Sequence, residues 1–172
     1  IVYARITDQA GNVTIINTNG IVVDLTSPEL ALDPAVDMTD FLAADQTISV
    51  MAADPGSGLA SVQFTTDEIV PQTGVVTLDE DGQGSFTLAN NGSYTLTVIA
   101  ADNAGNTTSK TRLIKIDKIT PDLEISGNPR DYVTSATLGL DPVLGPSGLK
   151  LLTVRKDGGA AKDISGSYDD GY

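Results

Sequence analysis

Apolar and polar residues alternate along this chain at a period of two, in short runs, and almost nowhere at the spacing of an amphipathic helix. The runs are rich in Val, Ile, Leu, Thr, Tyr and Phe and are punctuated by Gly, Asn, Asp and Pro, the composition of strands joined by turns. The pattern predicts strands over Leu30 to Leu32, Thr47 to Ala53, Ala60 to Thr65, Val75 to Leu78, Ser85 to Leu88, Tyr94 to Ala101 and Thr108 to Ile116. Asp81-Gly82 and Asn91-Gly92 fall between alternating segments, where a tight turn needs residues that tolerate positive φ. Seven short strands in about 90 residues is the spacing of an all-β sandwich.

Comparing the chain with itself sharpens this picture. Asp8-Gln-Ala-Gly-Asn12 returns 94 residues later as Asp102-Asn-Ala-Gly-Asn106. Asp24-Leu-Thr-Ser-Pro28 returns after 93 residues as Asp117-Lys-Ile-Thr-Pro121, and Ser-Gly-Leu59 after 90 residues as Ser-Gly-Leu149. Three motifs in one order at one period predict a modular array. On that period residues 1-27 are the last strands of a first module, 28-120 a complete module, and 121-172 the first strands of a third. Tyr172 aligns with Tyr94, so the third module stops before its final hairpin. The ends are expected to be poorly ordered or paired between molecules, because a truncated sandwich leaves strand edges open. The opening Ile1 to Ile6 has no starting Met, basic segment or apolar core of a signal peptide, so the chain reads as a piece of something longer.

Three phrases carry a resemblance to a family. They are Ala53-Asp54-Pro-Gly-Ser-Gly-Leu59, Tyr94-Thr-Leu-Thr-Val-Ile-Ala-Ala-Asp102-Asn-Ala-Gly-Asn106 and Ile116-Asp117-Lys-Ile-Thr-Pro121. In this order they resemble the bacterial immunoglobulin-like (Ig-like) modules found in tandem in large secreted and cell-surface proteins, many of them adhesins. The implied fold is all-β, with Ig-like β-sandwich modules in tandem, one complete and two partial. In such a sandwich alternate residues face inward, making Ile48, Val50, Ala52, Val62, Phe64, Phe86, Leu88, Leu96, Val98 and Ile114 core candidates. Tyr94 stands where antibody domains carry a corner tyrosine, and Leu96 replaces the following Cys by plain apolar burial. Gly58 and Gly105 are expected at positive φ in tight loops, and Pro28 and Pro121 at module starts.

Composition removes whole classes of chemistry. The 172 residues include no His, Cys or Trp. A Ser-His-Asp triad, an imidazole base, a thiolate nucleophile, a disulfide framework and a Cys-rich metal site are therefore excluded. No two carboxylates can be set facing across an apolar cleft as a glycosidase requires, so no enzyme is expected. The formal net charge of -13 repels phosphate backbones and anionic lipid, so no nucleic acid partner is expected. No apolar run approaches membrane-spanning length. The sequons opening at Asn12, Asn91 and Asn106 arise from turn composition and carry no expectation.

The acidic residues suggest one site. In this topology the loops after the second and sixth strands share an end with the module's own N-terminus, where the previous module arrives. That brings Asp24 toward Asp54, Asp102 and Asn103 at the first joint, and Asp117 toward Asp141 at the second. Carboxylates, an amide or backbone carbonyl and water together match the six to eight oxygens that calcium takes. The competing reading is that Asp54 and Asp102 form Asx-turns with local N–H groups and Asp24 merely ends a strand. The longer loop Asp141-Pro-Val-Leu-Gly-Pro-Ser-Gly148 weakens the second site. Asp79-Glu-Asp-Gly82 reads as a solvated hairpin turn.

The function expected from these features is mechanical: an extracellular or cell-surface stalk whose partners are the neighbouring modules of the same chain, with joints stiffened by calcium. Two alternatives stay open. One is a module that binds an extracellular protein or glycan through its loops, for which 5% aromatic residues is a poor supply. The other is an accessory module of a secreted polysaccharide-degrading enzyme.

Overall fold

The computed structural model describes residues 2–17, 23–127, 139–155 and 159–167. Tyr172 lies outside them. Strands β1 (Tyr3–Thr7) and β2 (Val13–Asn17) form a hairpin. Seven strands follow: β3 (Glu29–Asp33), β4 (Gln46–Ala53), β5 (Leu59–Thr66), β6 (Thr73–Val75), β7 (Gln83–Leu88), β8 (Gly92–Asp102) and β9 (Thr107–Ile116). They make two antiparallel sheets, ordered β3-β4-β7 and β6-β5-β8-β9. After them come the pair β10 (Asp122–Ser126) and β11 (Gly139–Val143) and the short pair β12 (Thr153–Val154) and β13 (Lys162–Asp163).

The sandwich forms because period-two burial runs through its central strands. In β4 the side chains of Ile48, Val50 and Ala52 point in while Thr47, Ser49, Met51 and Ala53 point out. In β8 the inward set is Tyr94, Leu96, Val98, Ala100 and Asp102, so the last inward position holds a carboxylate. Ile48, Leu88, Leu96, Val98 and Ile114 are completely buried, joined by Leu30, Leu32, Val50, Ala52, Val62, Val76 and Ile116. Phe64 and Phe86 take the expected inward positions and pack against the core but are only half-buried, and their rings, one from each sheet, stack at 3.8 Å. Gly74, opposite Phe64 in the ladder, leaves room for that ring.

The fourth predicted strand is displaced. β6 covers Thr73–Val75, and Val76 to Leu78 leaves the edge of β5 instead of continuing along it. The Val76 N–H still donates to Val62 O at 2.8 Å, but its side chain is buried, and the chain passes over Gly84 of β7 so closely that a Cβ there would strike the Thr77 carbonyl. The turn after it is as expected: the Asp79 carboxylate accepts the N–H groups of Asp81 and Gln83, and Gly82 has φ of 76°.

The free edge of β9 is covered by the chain after β3. Met38 N–H donates to Leu113 O, Leu42 N–H to Lys115 O, and Leu42 forms a parallel bridge with Ile116. Tyr94 is buried and its hydroxyl donates to Asn90 O at 3.3 Å, a corner lock four residues back along the chain. At the N-terminal end β1 and β2 pair only with each other, so the outer edges of that hairpin stay open, as expected, and every one of its residues is exposed.

With no disulfide, the sandwich is held by this apolar contact. Leu96→Ala is expected to lower the unfolding free energy by about 2 to 5 kcal/mol. The exposed neighbour Met51→Ala should change it by no more than about 0.5 kcal/mol, both read by guanidinium titration.

Candidate functional site

One pole of the sandwich is built by two loops and the incoming segment 23–28. The loop between β8 and β9 is closed by Asp102. Its Oδ1 accepts the N–H groups of Ala104 at 2.9 Å and Asn106 at 2.8 Å, and its Oδ2 accepts the Asn106 amide at 2.8 Å. Gly105 at the loop tip has φ of 95°. Asp8, the counterpart in the first repeat, makes the same three bonds to Ala10 and Asn12 at 2.9, 2.8 and 2.8 Å. The repeated phrase is therefore a repeated loop structure.

The loop between β4 and β5 is closed by Asp54, whose Oδ2 accepts the Gly58 N–H at 2.7 Å and lies 3.4 Å from the Ser57 hydroxyl. Gly58 has φ of 80°. Asp24 approaches from the incoming segment. Its Oδ1 accepts the N–H and hydroxyl of Thr26, and its Oδ2 accepts the Ser57 N–H at 2.7 Å. Gly56 lies flat against the Asp24 carboxylate, where any Cβ would collide with it.

Asp24, Asp54 and Asp102 each place a carboxylate oxygen within 4.8 Å of the other two. Each carboxylate closes a local turn, as the Asx-turn reading expects of Asp54 and Asp102, and the three oxygens converge. The Asp54 Oδ1 is buried and has no hydrogen-bond partner. Among the described residues the one ion pair, Lys118 with Asp45 at 2.5 Å, lies beyond the far end of β9 and leaves this cluster without a cationic neighbour.

Hydrogen bonding sets the protonation of the cluster. The Thr26 hydroxyl and N–H, followed by Ser57, hold the Asp24 carboxyl far below the usual carboxylate range. Burial pushes Asp102 upward, but the bonds from the Asn106 amide and from the loop N–H groups outweigh it and the net shift is down. Asp24 and Asp102 are thus held charged by neutral donors.

The other expected site residues fall elsewhere. Asn103 sits beside the cluster, but its amide donates to the carbonyls of Ser57 and Gly58 at 3.0 Å each and so ties the two loops together. Asp117, the counterpart of Asp24, follows β9 and accepts the N–H groups of Ile119 and Ser147. Asp141 is exposed within β11, opposite Glu124, because the longer loop places it in the strand and not at the turn. Among the described residues the only convergence of three or more acidic groups is the one at Asp24.

The seven-strand region agrees with an independent comparison. Residues 33–118, half of the chain, match the family model described as bacterial Ig-like domain. The chain belongs to the bacterial Ig-like domain family. No curated protein matches it. In this Ig-like domain the sequence pattern had pointed to the three aspartates, but three of their partners were not singled out. Asn106 donates to both Asp102 and the Asp24 carbonyl, Ser57 to both Asp24 and Asp54, and Thr26 to Asp24 alone. The repetition of Asp-x-Ala-Gly-Asn was the available signal for Asn106, since the fifth residue is kept with the first.

Asp24 and Asp102 have folded-state pKa values below those of the unfolded chain, so the stability they contribute is complete above the ordinary carboxylate pKa of about 4 and is lost as pH falls through the lowered folded values. The urea midpoint is expected to stay level from about pH 7 to about pH 5 and to fall below about pH 4. Asp102→Asn should make that acid decline shallower.

Proposed function

We propose that this chain is a segment of a tandem Ig-like stalk in a bacterial extracellular or surface-attached protein, that it performs no catalysis, and that the pole at Asp24 takes a calcium ion which stiffens the joint with the preceding unit. Bacterial Ig-like domains are often found in extracellular or surface proteins. The observation that carries the calcium reading is the buried, unpartnered Asp54 Oδ1 among two further carboxylates. Oxygens within 4.8 Å of one another suit a shared shell, since calcium–oxygen distances of about 2.3 to 2.6 Å allow ligands that far apart. Asp24, Asp54 and Asp102 would hold the ion, and the bound ion would supply positive charge that relieves their mutual repulsion. Asp24 belongs to the segment entering the sandwich and the other two to its loops, so the ion would tie the entering segment to the sandwich.

A second reading has its own observation. The loop after β5 is pinned by Thr66, Glu68 and Gln72, which bond to one another, while Ile69 and Val70 at its tip are almost fully exposed. They border an open groove of about 710 Å³ that also includes Asn91 and Tyr94. A preorganised apolar tip of this kind favours a loop that binds an extracellular protein or glycan.

The two readings separate by melting the chain in excess EDTA, then with millimolar calcium, then with magnesium. An ion that binds only the folded state at one hundred times its Kd adds about 2.7 kcal/mol, so calcium should raise Tm by several degrees. Asp54→Asn should keep the EDTA melting point and abolish the rise. An unchanged Tm with calcium refutes the ion-stiffened joint.

A further inference from the structure

The segment leaving β9 is bound on two sides. Its main chain belongs to the sandwich: the Asp117 N–H donates to Leu42 O at 3.0 Å and the Lys118 N–H to Asn91 Oδ1 at 2.8 Å. The Lys118 ammonium adds its ion pair with Asp45. The Asp117 side chain faces the other way. Its Oδ1 accepts the Ile119 N–H at 3.0 Å, and its Oδ2 accepts both the N–H of Ser147, at 3.0 Å, and the Ser147 hydroxyl, in the loop that follows β11. Three consecutive N–H groups of the connection, from Asp117 to Ile119, are thereby all bonded. Asp117 is only 9% exposed.

Gly145 makes this closure possible. It lies flat on the Asp117 carboxylate, and a Cβ there would fall inside the carboxylate oxygens. The same arrangement occurs at the other pole, 93 residues earlier in sequence. Asp24 bonds the N–H two residues ahead, at Thr26, and the Ser57 N–H across the joint, over Gly56. The two loops differ in length, and Pro146 stands between glycine and serine only in the second. The contact survives that difference, which marks it as the conserved feature of the two joints within this chain.

We infer that consecutive Ig-like units of this chain are locked by an Asp–Gly–Ser clasp, in which an aspartate at the end of one unit docks on the glycine-backed serine N–H of the next and fixes their mutual rotation, at the Asp117 joint without an ion and at the Asp24 joint beside the proposed one. The partner surface is thus the loop after the second strand of a following unit. Glycine is required because only a residue without Cβ lets the carboxylate reach the N–H. Serine adds its hydroxyl to the same oxygen at Asp117. The inference rests on the tandem-stalk reading for its purpose. It does not rest on calcium, because no third carboxylate converges on Asp117 among the described residues.

The absence of cysteine allows a clean test. Spin labels on Gln83→Cys in β7 and Glu124→Cys in β10, both exposed positions, report the distance between the sandwich and the following sheet by double electron–electron resonance. In EDTA the doubly labelled chain should give a single narrow distance peak. Asp117→Asn, which keeps the bond to Ile119 and turns the acceptor facing Ser147 into a donor, should lose that peak, and so should Gly145→Ala. The melting point of the sandwich under Gly145→Ala, a change outside it, should stay that of the parent and separate loss of the clasp from loss of the fold. A broad distribution in the parent, or a peak that neither variant moves, overturns the inference. A peak that narrows only when calcium is added also overturns the clasp, while the calcium melting curve, which reads the Asp24 pole, decides the ion-stiffened joint separately.

Discussion

Everything at the functional pole depends on the register of β8. Its inward face runs Tyr94, Leu96, Val98, Ala100 and Asp102, and that face is fixed because slipping by one residue would bury Thr95, Thr97 and Ile99 in place of the apolar set. Ladders on both sides hold it, with Leu96 opposite Thr66 of β5 and Arg112 of β9. The register that packs Leu96 in the core also presents a carboxylate at the rim, two residues beyond Ala100. Core and site are one constraint.

A carboxylate in that position must be satisfied or neutralised, and the structure satisfies it with neutral donors. Asp102, Asp54 and Asp24 each accept N–H groups of tight turns and each closes a loop, and the bonds hold Asp24 and Asp102 below the usual carboxylate range. Hydrogen bonding lowers the energy of each charge but does nothing about the repulsion between them. The three carboxylates place oxygens within 4.8 Å of one another, and one Asp54 oxygen is buried and unpartnered, so negative charge is concentrated at this pole. The same turn bonds that close the loops thus bring the three carboxylates together.

The connection that leaves β9 meets a different demand. A connection of a few residues leaves backbone N–H groups that must find acceptors, and here they find them on both sides, in Leu42, Asn91 and Asp117 itself. Using one residue for both sides, main chain backward and side chain forward, fixes the two parts relative to each other with a minimum of contact area. The cost is a strict steric condition on the opposing loop, met by Gly56 at one pole and Gly145 at the other.

Much of this was legible in the sequence. Alternation alone determined the all-β class, six of the seven strands in place and the inward positions of the core candidates, because the period of side chains along a strand is a local property of the backbone. The repeat determined that Asp24 and Asp117, and Asp8 and Asp102, occupy equivalent places. Only the tertiary structure decided the rest. Phe64 and Phe86 stack because β5 and β7, strands of different sheets, face each other there. Asp141 stays in its strand because loop length, not motif identity, determines where the turn falls. Asn106 and Ser57 became site residues because their donors meet acceptors some 80 and 33 positions away, and a pairing over that separation is fixed by the packing of sheets and not by any neighbouring residue.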